Sequence, residues 1–390
     1  MRLTGTSAFG VRLPIISKGD DLAGIVVDSV MNCTEQEGIV LADHDIVGIT
    51  EAIVAKAQGN YAEVSCIAQD IRQKFPQGTV GLVFPIFSRN RFLNILKGIA
   101  AGAEKVILLM RCPSDEVGNP IMDMAMMDEL EDELAQGPMS AKRFLSLTEN
   151  YSHPFTGLNY IDLYQSVSDN IEIYVSNDAR DILKLTKQVL VCEIHTRMQT
   201  KARLIKAGAE QIYTLSDVLA APIDGSGFNP DYGVLGSNIS TENTLKLFPR
   251  DSAAFVQKVH ALFSERTGKE LEVLVYGDGA FKDPVCGIWE LADPVVSPAH
   301  TEKLAGQPNE IKLKYVAENV FSHLTGEAKT KAVHDMIKEK EKDKRIFSEG
   351  TTPRKYADLL GSLCDLMSGS GDKGTPVILI KGYFDDYASE

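Results

Sequence analysis

A glycine-rich stretch near the C-terminus contains residue types that suit phosphate binding. Residues 366–382 read LMSGSGDKGTPVILIKG, and a Gly/Ser run with Gly369 and Gly371 leads into Asp372, Lys373 and an apolar, β-branched segment. Glycines let main-chain N–H groups turn toward an anion, and a lysine adds a point charge for a phosphate. The same composition is typical of a surface loop before a buried strand, and the P-loop pattern G-x-x-x-x-G-K-S/T does not occur. Alone, the stretch predicts either a simple loop or one wall of an anion site.

A second candidate anion site lies at the start of a short predicted helix. The apolar segment Ile46–Ile49 predicts a strand, and Thr50–Gln58 (TEAIVAKAQ) predicts a helix directly after it. The first turn of a helix has main-chain N–H groups that are not used inside the helix, and they can bind an anion. Thr50 and Glu51 open this helix, and Lys56 lies in its second turn. Lys56 is therefore either a solvated side chain or a phosphate ligand.

Two arginines fall at strand-to-helix junctions in the middle of the chain. Residues 80–111 and 188–217 both read as strand, polar turn, helix, glycine stop and strand, which is the β-α-β pattern of a parallel layer. Arg91 and Arg197 occupy matching positions in the polar turns. Ligands of open α/β sheets collect at the carboxyl ends of strands, so these arginines predict a clamp for a carboxylate or phosphate. Pairing with local acids such as Asp115 and Glu116 is the equally open alternative.

One aspartate has the sequence context of a metal ligand. Asp278 follows the apolar segment Leu271–Tyr276 within a Gly-Asp-Gly sequence. A carboxylate directly after a buried strand is a favoured metal ligand, and Gly-Asp-Gly is also an ordinary turn.

Charge and cysteine usage narrow the classes of partner and compartment. The 390 residues carry a formal net charge of −14, and nucleic acids are bound by positive surfaces, so we expect no nucleic-acid partner. The six cysteines are scattered without a C-x-x-C pair, which fits thiols in a reducing compartment. The N-terminal residues lack the apolar core of a signal peptide, and no apolar run reaches the ~18 residues of a membrane span. We therefore expect a cytoplasmic protein with no membrane partner.

Four stretches, in this order, carry a resemblance to a known family. Leu13-Pro14-Ile15-Ile16 with the following Lys18–Leu22 resembles L-P-L-I-x-x-G-D-D-L, and Ile53–Gly59 resembles V-I-S-K-A-E-G. Gly233–Asn238 resembles G-I-D-x-S-N, and residues 366–382 resemble L-M-G-E-G-G-D-G-I-P-A-V-V-V-R-G. These are motifs of the coenzyme F420-0:L-glutamate ligases, also called γ-glutamyl ligases. The stretches cover roughly a third of the chain, and the first and last are the most specific.

The resemblance implies an activity and a set of ligands. The family forms an amide between L-glutamate and a carboxylate-bearing acceptor, using GTP to activate the carboxylate as an acyl phosphate, with a divalent metal. It therefore implies GTP or ATP, Mg²⁺ or Mn²⁺, L-glutamate, an F420-0-like or folate-like acceptor, and a homodimer. The family motifs assign nucleotide or phosphate contacts to Leu13, Pro14, Ile15, Ile16, Lys56 and Asn238. The helix start adds Thr50 and Glu51 as candidates, and the glycine loop adds Gly369, Gly371, Asp372 and Lys373. Arg91 and Arg197 are further catalytic candidates.

The chain departs from the family's motifs at two expected carboxylates. Leu235 stands where the motif has a metal-binding aspartate, and Ser368–Ser370 replaces the glutamate of the glycine loop. Leucine cannot bind a metal, so the predicted metal ligands are Asp278 and, as a substitute, Asp231, with Asp224, Asp372 and Asp283 as open alternatives. The alternative function is a non-ligating small-molecule or nucleotide-binding protein, or an enzyme of another class, on the same scaffold.

The same comparison predicts the domain organisation. We expect a mixed α/β (α+β) fold in which residues 1–77 and 221–390 together form the ligase-like domain. Residues 78–220, which contain both β-α-β units, have no counterpart in the short archaeal ligases that define the motifs. They are predicted to form an inserted domain with a layered α/β structure.

Overall fold

Two large β-sheets with helices on both faces make up most of the protein, which confirms the predicted mixed α/β class. The computed structural model describes residues 4–116, 118, 122–148, 151–153, 157–277, 281–282, 289–290, 296–339, 355–368 and 372–389. Among the described helices, none combines the length and the apolar character needed to cross a bilayer.

The described residues form 16 strands and 12 α-helices. The strands are β1 (Ser7–Val11), β2 (Ile46–Thr50), β3 (Tyr61–Glu63), β4 (Thr79–Val83), β5 (Lys105–Met110), β6 (Met139–Ser140), β7 (Ile171–Val175), β8 (Gln188–Val191), β9 (Gln211–Thr214), β10 (Asn238–Thr241), β11 (Thr244–Lys246), β12 (Glu272–Tyr276), β13 (Phe281–Lys282), β14 (Trp289–Glu290), β15 (Ala299–His300) and β16 (Val377–Lys381). The helices are α1 (Leu22–Gln36), α2 (Glu51–Gln58), α3 (Val64–Lys74), α4 (Arg89–Gly102), α5 (Met127–Leu134), α6 (Ala141–Leu147), α7 (Tyr160–Gln165), α8 (Arg197–Lys206), α9 (Ser252–Thr267), α10 (Leu313–Tyr315), α11 (Gly326–Glu339) and α12 (Tyr356–Met367). Short 3₁₀ helices span Met124–Met126, Ala179–Lys184, Leu215–Asp217 and Glu302–Ala305, and Val316–Val320 is a π-helix.

The five-stranded sheet joins the two ends of the chain in the order β1-β16-β2-β12-β15. Strands β2 and β12 are parallel, whereas β16 is antiparallel to both β1 and β2. Side chains alternate along β2, so Val47 and Ile49 pack with α1 and α9 on one face, while Ile46 packs with α12 on the other. Gly48 lies on the α12 face, where an added Cβ would be 2.3 Å from Sγ of Cys364. The absence of a side chain at Gly48 therefore lets α12 lie directly on the sheet.

The six-stranded sheet contains both predicted β-α-β units and has the order β6-β7-β5-β4-β8-β9. All neighbours from β7 to β9 are parallel, and only β6 is antiparallel. Helix α4 connects β4 to β5 on one face, where Phe92 and Ile95 are buried, and α8 connects β8 to β9 on the opposite face through Leu204. Both units are confirmed. The chain order of the five parallel strands reads 3-2-1-4-5 across the sheet, so the winding direction reverses between β4 and β8.

The packing around this sheet is continuous with the segments on either side of it. Helix α3 lies against α4 so closely that a Cβ on Gly102 would be 2.5 Å from the carbonyl oxygen of Ala68. The apolar cluster on this face extends from Ala62 to Leu247. The boundaries at residues 77 and 220, and the origin of 78–220 as an insertion, stay predictions.

The described cysteines are free thiols, as the sequence indicated. Cys66, Cys112, Cys192 and Cys364 are buried, and Cys33 is partly buried. Burial raises the pKa of the Cys112 thiol to about 12, so this group stays protonated at neutral pH. Four of the five described cysteines thus serve as small core residues.

Candidate functional site

Four chain segments meet at one edge of the five-stranded sheet. Strands β1 and β2 point the same way because both are antiparallel to β16, and the register pairs Val377 with Val11 on one side and Ile49 on the other. Thr50 at the end of β2 pairs with Tyr276 at the end of β12. The residues that follow β1, β2 and β12 and those that precede β16 therefore share this edge. We call it the convergent edge and define it by Leu13–Ile16, Thr50–Glu51, Gly277 and Asp372–Pro376.

Hydrogen bonds fix the glycine-rich loop to the convergent edge. The Thr50 N–H donates to the carbonyl oxygen of Pro376 at 3.0 Å, and the Tyr276 hydroxyl lies 3.4 Å from the same oxygen. Asp372, Lys373 and Gly374 are exposed beyond this attachment. The loop therefore starts β16 from a fixed point and leaves its polar residues in solvent. Gly369, Gly371 and Asp278 lie outside the described residues.

The segment Leu13–Ile16 borders the convergent edge without forming a strand. Ile16 is buried at 4% exposure and Leu13 packs against the core, whereas Ile15 is 89% exposed. Pro14 lacks an N–H and cannot donate to a ladder, which fits the end of β1 at Val11. The chain then returns to α2, where the Gly19 N–H donates to the carbonyl oxygen of Ala57 at 2.8 Å.

An ion pair attaches the third motif, around Asn238, to the same edge. Glu51, the first residue of α2, is buried and pairs with Nζ of Lys246 in β11. Asn238 lies directly across from Lys246 in the β10–β11 hairpin. The side chains of Glu51 and Lys246 are only 5% and 13% exposed. The motif around Asn238 is thereby attached to the start of α2, although 187 residues separate Glu51 from Asn238 (238 − 51).

Lys56 lies farther from the start of α2 than the sequence suggests. The helix is only eight residues long, so Lys56 belongs to its last turn, about 7.5 Å along the axis from Glu51. Its side chain is exposed and makes no ion pair with a described residue. Helical side chains tilt toward the N-terminus, so the ammonium group can extend along α2 in the direction of the convergent edge. The first-turn N–H groups and Lys56 are therefore separate contributors to any anion site.

The described residues do not form a ligand set for a metal ion. In the part of the chain that the structure describes, no three His, Cys, Asp or Glu side chains are grouped around a common point. Leu235 is fully buried in the apolar cluster of the six-stranded sheet, so its side chain serves the core. Asp231 is exposed and follows Asn229, whose Oδ1 accepts from the Asp231 N–H at 2.9 Å.

Arg91 and Arg197 lie at a different place, the carboxyl edge of the six-stranded sheet. Arg91 is buried at 9% exposure in the first turn of α4, and Arg197 is the first residue of α8. The Arg197 guanidinium donates through Nη1 to the carbonyl oxygen of Ile194. The Glu116 carboxylate accepts from the main-chain N–H groups of Ile194 at 2.7 Å and His195 at 2.8 Å. The structure therefore shows Glu116 bound to the main chain at the start of the second polar turn.

Two charged residues at this edge were missed by the sequence reasoning. Arg111 and Glu193 pair at 2.9 Å, and Glu193 is buried at 2% exposure. The Thr200 hydroxyl also donates to Glu193. The sequence did contain a signal for these two residues, because each directly follows an apolar run: KVILLM precedes Arg111, and QVLVC precedes Glu193. Charge directly after a buried parallel strand marks the edge where ligands collect.

Burial governs the ionisation of the aromatic and histidine side chains near this edge. Burial raises the pKa of the Tyr160 phenol, while the positive charge of Arg89 opposes the shift. Burial also raises the pKa of Tyr232, and Arg197 again opposes it. Burial lowers the pKa of His153, against the effect of Asp115. Both phenols therefore remain protonated hydrogen-bond donors at neutral pH.

Comparison with protein families gives a match over nearly the whole chain. The model of the family described as F420-0:Gamma-glutamyl ligase matches residues 10–382. The matched range includes the four motif stretches and both sheet edges described above. A comparison with curated proteins gives no match.

Proposed function

The chain belongs to the F420-0:gamma-glutamyl ligase family, and we propose that it joins L-glutamate or a similar amino acid to a carboxylate-bearing acceptor at the expense of GTP or ATP. Family membership supports a γ-glutamyl ligase activity in coenzyme F420 biosynthesis. The nucleotide, the acyl-phosphate intermediate and an F420-0-like or folate-like acceptor belong to our proposal. The observation that carries it is the convergent edge, where the first and last family-like stretches border the start of α2 and the Lys246–Glu51 pair attaches the hairpin of Asn238.

The convergent edge offers groups that suit a nucleoside triphosphate. Leu13–Ile16 would lie along the nucleotide, with exposed Ile15 and Pro14 as its apolar contact, and Asn238 would contact the nucleotide from the hairpin. The phosphates would face the start of α2, with the Thr50 hydroxyl and the first-turn N–H groups from Glu51 onward, and the loop at Asp372 and Lys373. Gly369 and Gly371 would add main-chain N–H groups to that loop. Lys56 and Lys373 would balance phosphate charge.

The proposed reaction has two steps. An oxygen of the acceptor carboxylate attacks the γ-phosphorus, the bond between this phosphorus and the β–γ bridging oxygen breaks, and the nucleoside diphosphate leaves. The amine of glutamate then attacks the acyl carbon, loses a proton, and expels phosphate as the amide forms. The chain's part is to hold the phosphates in line and to balance their charge with N–H groups and lysines. Arg91 and Arg197 would hold carboxylates of the acceptor or amino acid.

A divalent metal supplies phosphate-charge neutralisation in ligases of this kind. We propose that Mg²⁺ or Mn²⁺ is bound together with the nucleotide, with Asp278 and Asp231 as the carboxylates that the motifs suggest. The described residues do not themselves fit a metal site, so no step is assigned to the ion.

The homodimer and the cytoplasmic location also stay predictions, and light scattering in solution tests the homodimer.

A thermal-shift screen tests nucleotide binding. We expect GTP or ATP with Mg²⁺ or Mn²⁺ to raise the melting temperature, because a ligand that binds only the folded state at 100 times its Kd stabilises it by about 2.7 kcal/mol. The nucleoside diphosphates serve as comparison ligands, since they lack the transferred group. An unchanged melting temperature with every combination would contradict the proposed nucleotide site.

Lys373→Ala is expected to weaken nucleotide binding by roughly 5- to 30-fold, because it removes a charge-assisted contact of about 1–2 kcal/mol. Calorimetric titration of the nucleotide into each variant measures the change. Lys314→Ala removes another exposed lysine, outside the convergent edge, and is the matched control. Equal affinities for the two variants would place the phosphates away from Lys373.

Binding without ligation is a second candidate function, and the burial of Leu235 favours it. The residue that replaces the family's metal carboxylate is part of the core and cannot take that role. The two functions differ in one product. A ligase releases nucleoside diphosphate only when amino acid and acceptor are both present, whereas a binding protein releases none under any combination.

A further inference from the structure

The six-stranded sheet reverses its winding direction between β4 and β8. Helix α4 leaves the end of β4 toward one face and α8 leaves the end of β8 toward the other, although the two strands are neighbours. In open α/β sheets the loops diverge at such a reversal, and ligands bind in the opening outside the carboxyl ends of the strands. We call this opening the reversal crevice. It is defined by Phe84–Ser88, Arg111, Glu116 and Glu193–Arg197.

A carboxylate already occupies the main-chain donors of the reversal crevice. One oxygen of Glu116 accepts from the N–H of Ile194 at 2.7 Å, and the other accepts from the N–H of His195 at 2.8 Å. Two adjacent N–H groups thus bind a planar anion, one to each oxygen. Glu116 lies in the loop after β5, whereas the two N–H groups come from the turn between β8 and α8. The carboxylate and its donors therefore belong to different strand–helix units.

The Arg197 guanidinium at the reversal crevice has an N–H group that can still donate to a ligand. Nε of Arg197 is buried and has no hydrogen-bond partner among the described residues, although Nη1 is bonded to Ile194. Buried N–H groups are rarely left without an acceptor, so this group points to an additional ligand atom. Arg111 stacks on the ring of Phe84, with its guanidinium carbon 4.1 Å from the ring centre, and pairs with buried Glu193. Arg111 is therefore held in place beside the crevice.

The turn after β4 selects against a dinucleotide. It reads Phe84-Pro85-Ile86-Phe87, with no glycine to let the main chain approach a pyrophosphate. Pro85 has no N–H to donate, and the carbonyl oxygens of Ile86 and Phe87 accept from the hydroxyls of Tyr164 and Tyr160. The main-chain donors that already bind a carboxylate lie on the β8 side, and they match a single planar carboxylate.

We propose that the reversal crevice binds the carboxylate of a small-molecule ligand, and that Glu116 occupies this carboxylate's position in the free protein. The ligand carboxylate would displace Glu116 from the N–H groups of Ile194 and His195 and would accept from Nε of Arg197. The identity of the ligand as the amino acid or the acceptor rests on the proposed ligase function. The carboxylate site itself does not, because it involves no nucleotide.

Glu116→Ala tests the proposal directly. Glutarate and L-glutamate, titrated calorimetrically without nucleotide, are expected to bind this variant at least about 10-fold more tightly than the unsubstituted protein, since the internal competitor is gone. Adding Arg197→Gln should reverse the gain about 10-fold. Glu210→Ala removes an exposed glutamate after α8, paired only with Lys187 at the surface, and should leave both affinities unchanged. Glu116→Gln retains one acceptor oxygen and keeps the test open if Glu116→Ala does not fold.

The ligands separate the two sources of a carboxylate. Tighter binding of L-glutamate than of glutarate identifies the amino acid, and the reverse identifies an acceptor-type carboxylate; both support the site. A loss of thermal stability in Glu116→Ala and Glu116→Gln with no carboxylate binding would show that Glu116 only ties two loops together. Tighter binding of inorganic phosphate than of either carboxylate would overturn the ligand class. A negative nucleotide screen leaves all these results unaffected.

Discussion

Gly233→Ala should destabilise the protein by about 2–4 kcal/mol, adding the costs of overpacking and of a left-handed alanine. Gly233 has a φ of +53°, and a Cβ there would lie 2.3 Å from the carbonyl oxygen of Val218. It would also lie 2.6 Å from the carbonyl oxygens of Leu215 and Ser216. These are main-chain atoms of the 3₁₀ turn Leu215–Asp217 and of the residue directly after it, so they cannot rotate away as a side chain could. The free energy of unfolding from urea titration measures the effect.

The surroundings of Gly233 cannot relax easily because its own loop is anchored. The Gly233 N–H donates to the carbonyl oxygen of Asn229, and the buried Asn229 amide donates to the carbonyl oxygens of Phe248 and Pro249. This loop leads into Asn238 of the β10–β11 hairpin. We therefore expect Gly233→Ala to weaken nucleotide binding at the convergent edge as well as stability.

Gly225→Ala is the matched control for backbone conformation. Gly225 has a φ of +75° in the same part of the chain, and nothing lies within 4 Å of an added Cβ. Its substitution should therefore cost only the ~1–2 kcal/mol of a left-handed non-glycine residue. Equal losses in the two variants would mean that backbone conformation alone accounts for Gly233, and that the three carbonyl oxygens are not a constraint.

The local elements of this fold could be predicted from sequence because they depend on short-range patterns. The helix after Ile49 and the two β-α-β units each follow from an apolar run, a polar turn and a glycine stop, and the structure confirms them. The alternation of Val47 and Ile49 with Ile46 in β2 likewise follows from the two-residue period of a strand.

The assembly of the two edges could not be predicted in the same way. The convergent edge exists because β16 lies between β1 and β2, and strand order depends on packing between distant parts of the chain. The position of Lys56 depends on a helix of only eight residues. Pairing between the arginines and Glu116 was an open alternative. The observed bonds from main-chain N–H groups to Glu116 could not be inferred, because main-chain donors are the same for every side-chain type except proline. The motifs could be identified in the sequence, whereas the sheet register shows which of them lie close together.

Lys246→Met should destabilise the protein by about 3 kcal/mol or more, because it removes the cation from a buried carboxylate. In the pair between Lys246 and Glu51 the carboxylate is buried and the lysine is only 13% exposed, and the pair connects the β10–β11 hairpin to the first turn of α2. Removing one partner costs far more than removing both, since the remaining charge keeps its desolvation penalty. The double variant Glu51→Gln with Lys246→Met should therefore recover much of the lost stability.

The contrast with an exposed pair makes this prediction specific to burial. Lys258 and Asp21 form an ion pair at 2.7 Å, but their side chains are 57% and 65% exposed. Lys258→Met should cost less than about 1 kcal/mol, because exposed pairs contribute little. Unfolding free energies of the two single variants and the double variant, measured in one buffer, give the comparison. If Lys246→Met were no more costly than Lys258→Met, the buried pair would not fix the hairpin. The position of Asn238 at the convergent edge would then depend on strand pairing alone, and nucleotide affinity in Lys246→Met should stay unchanged.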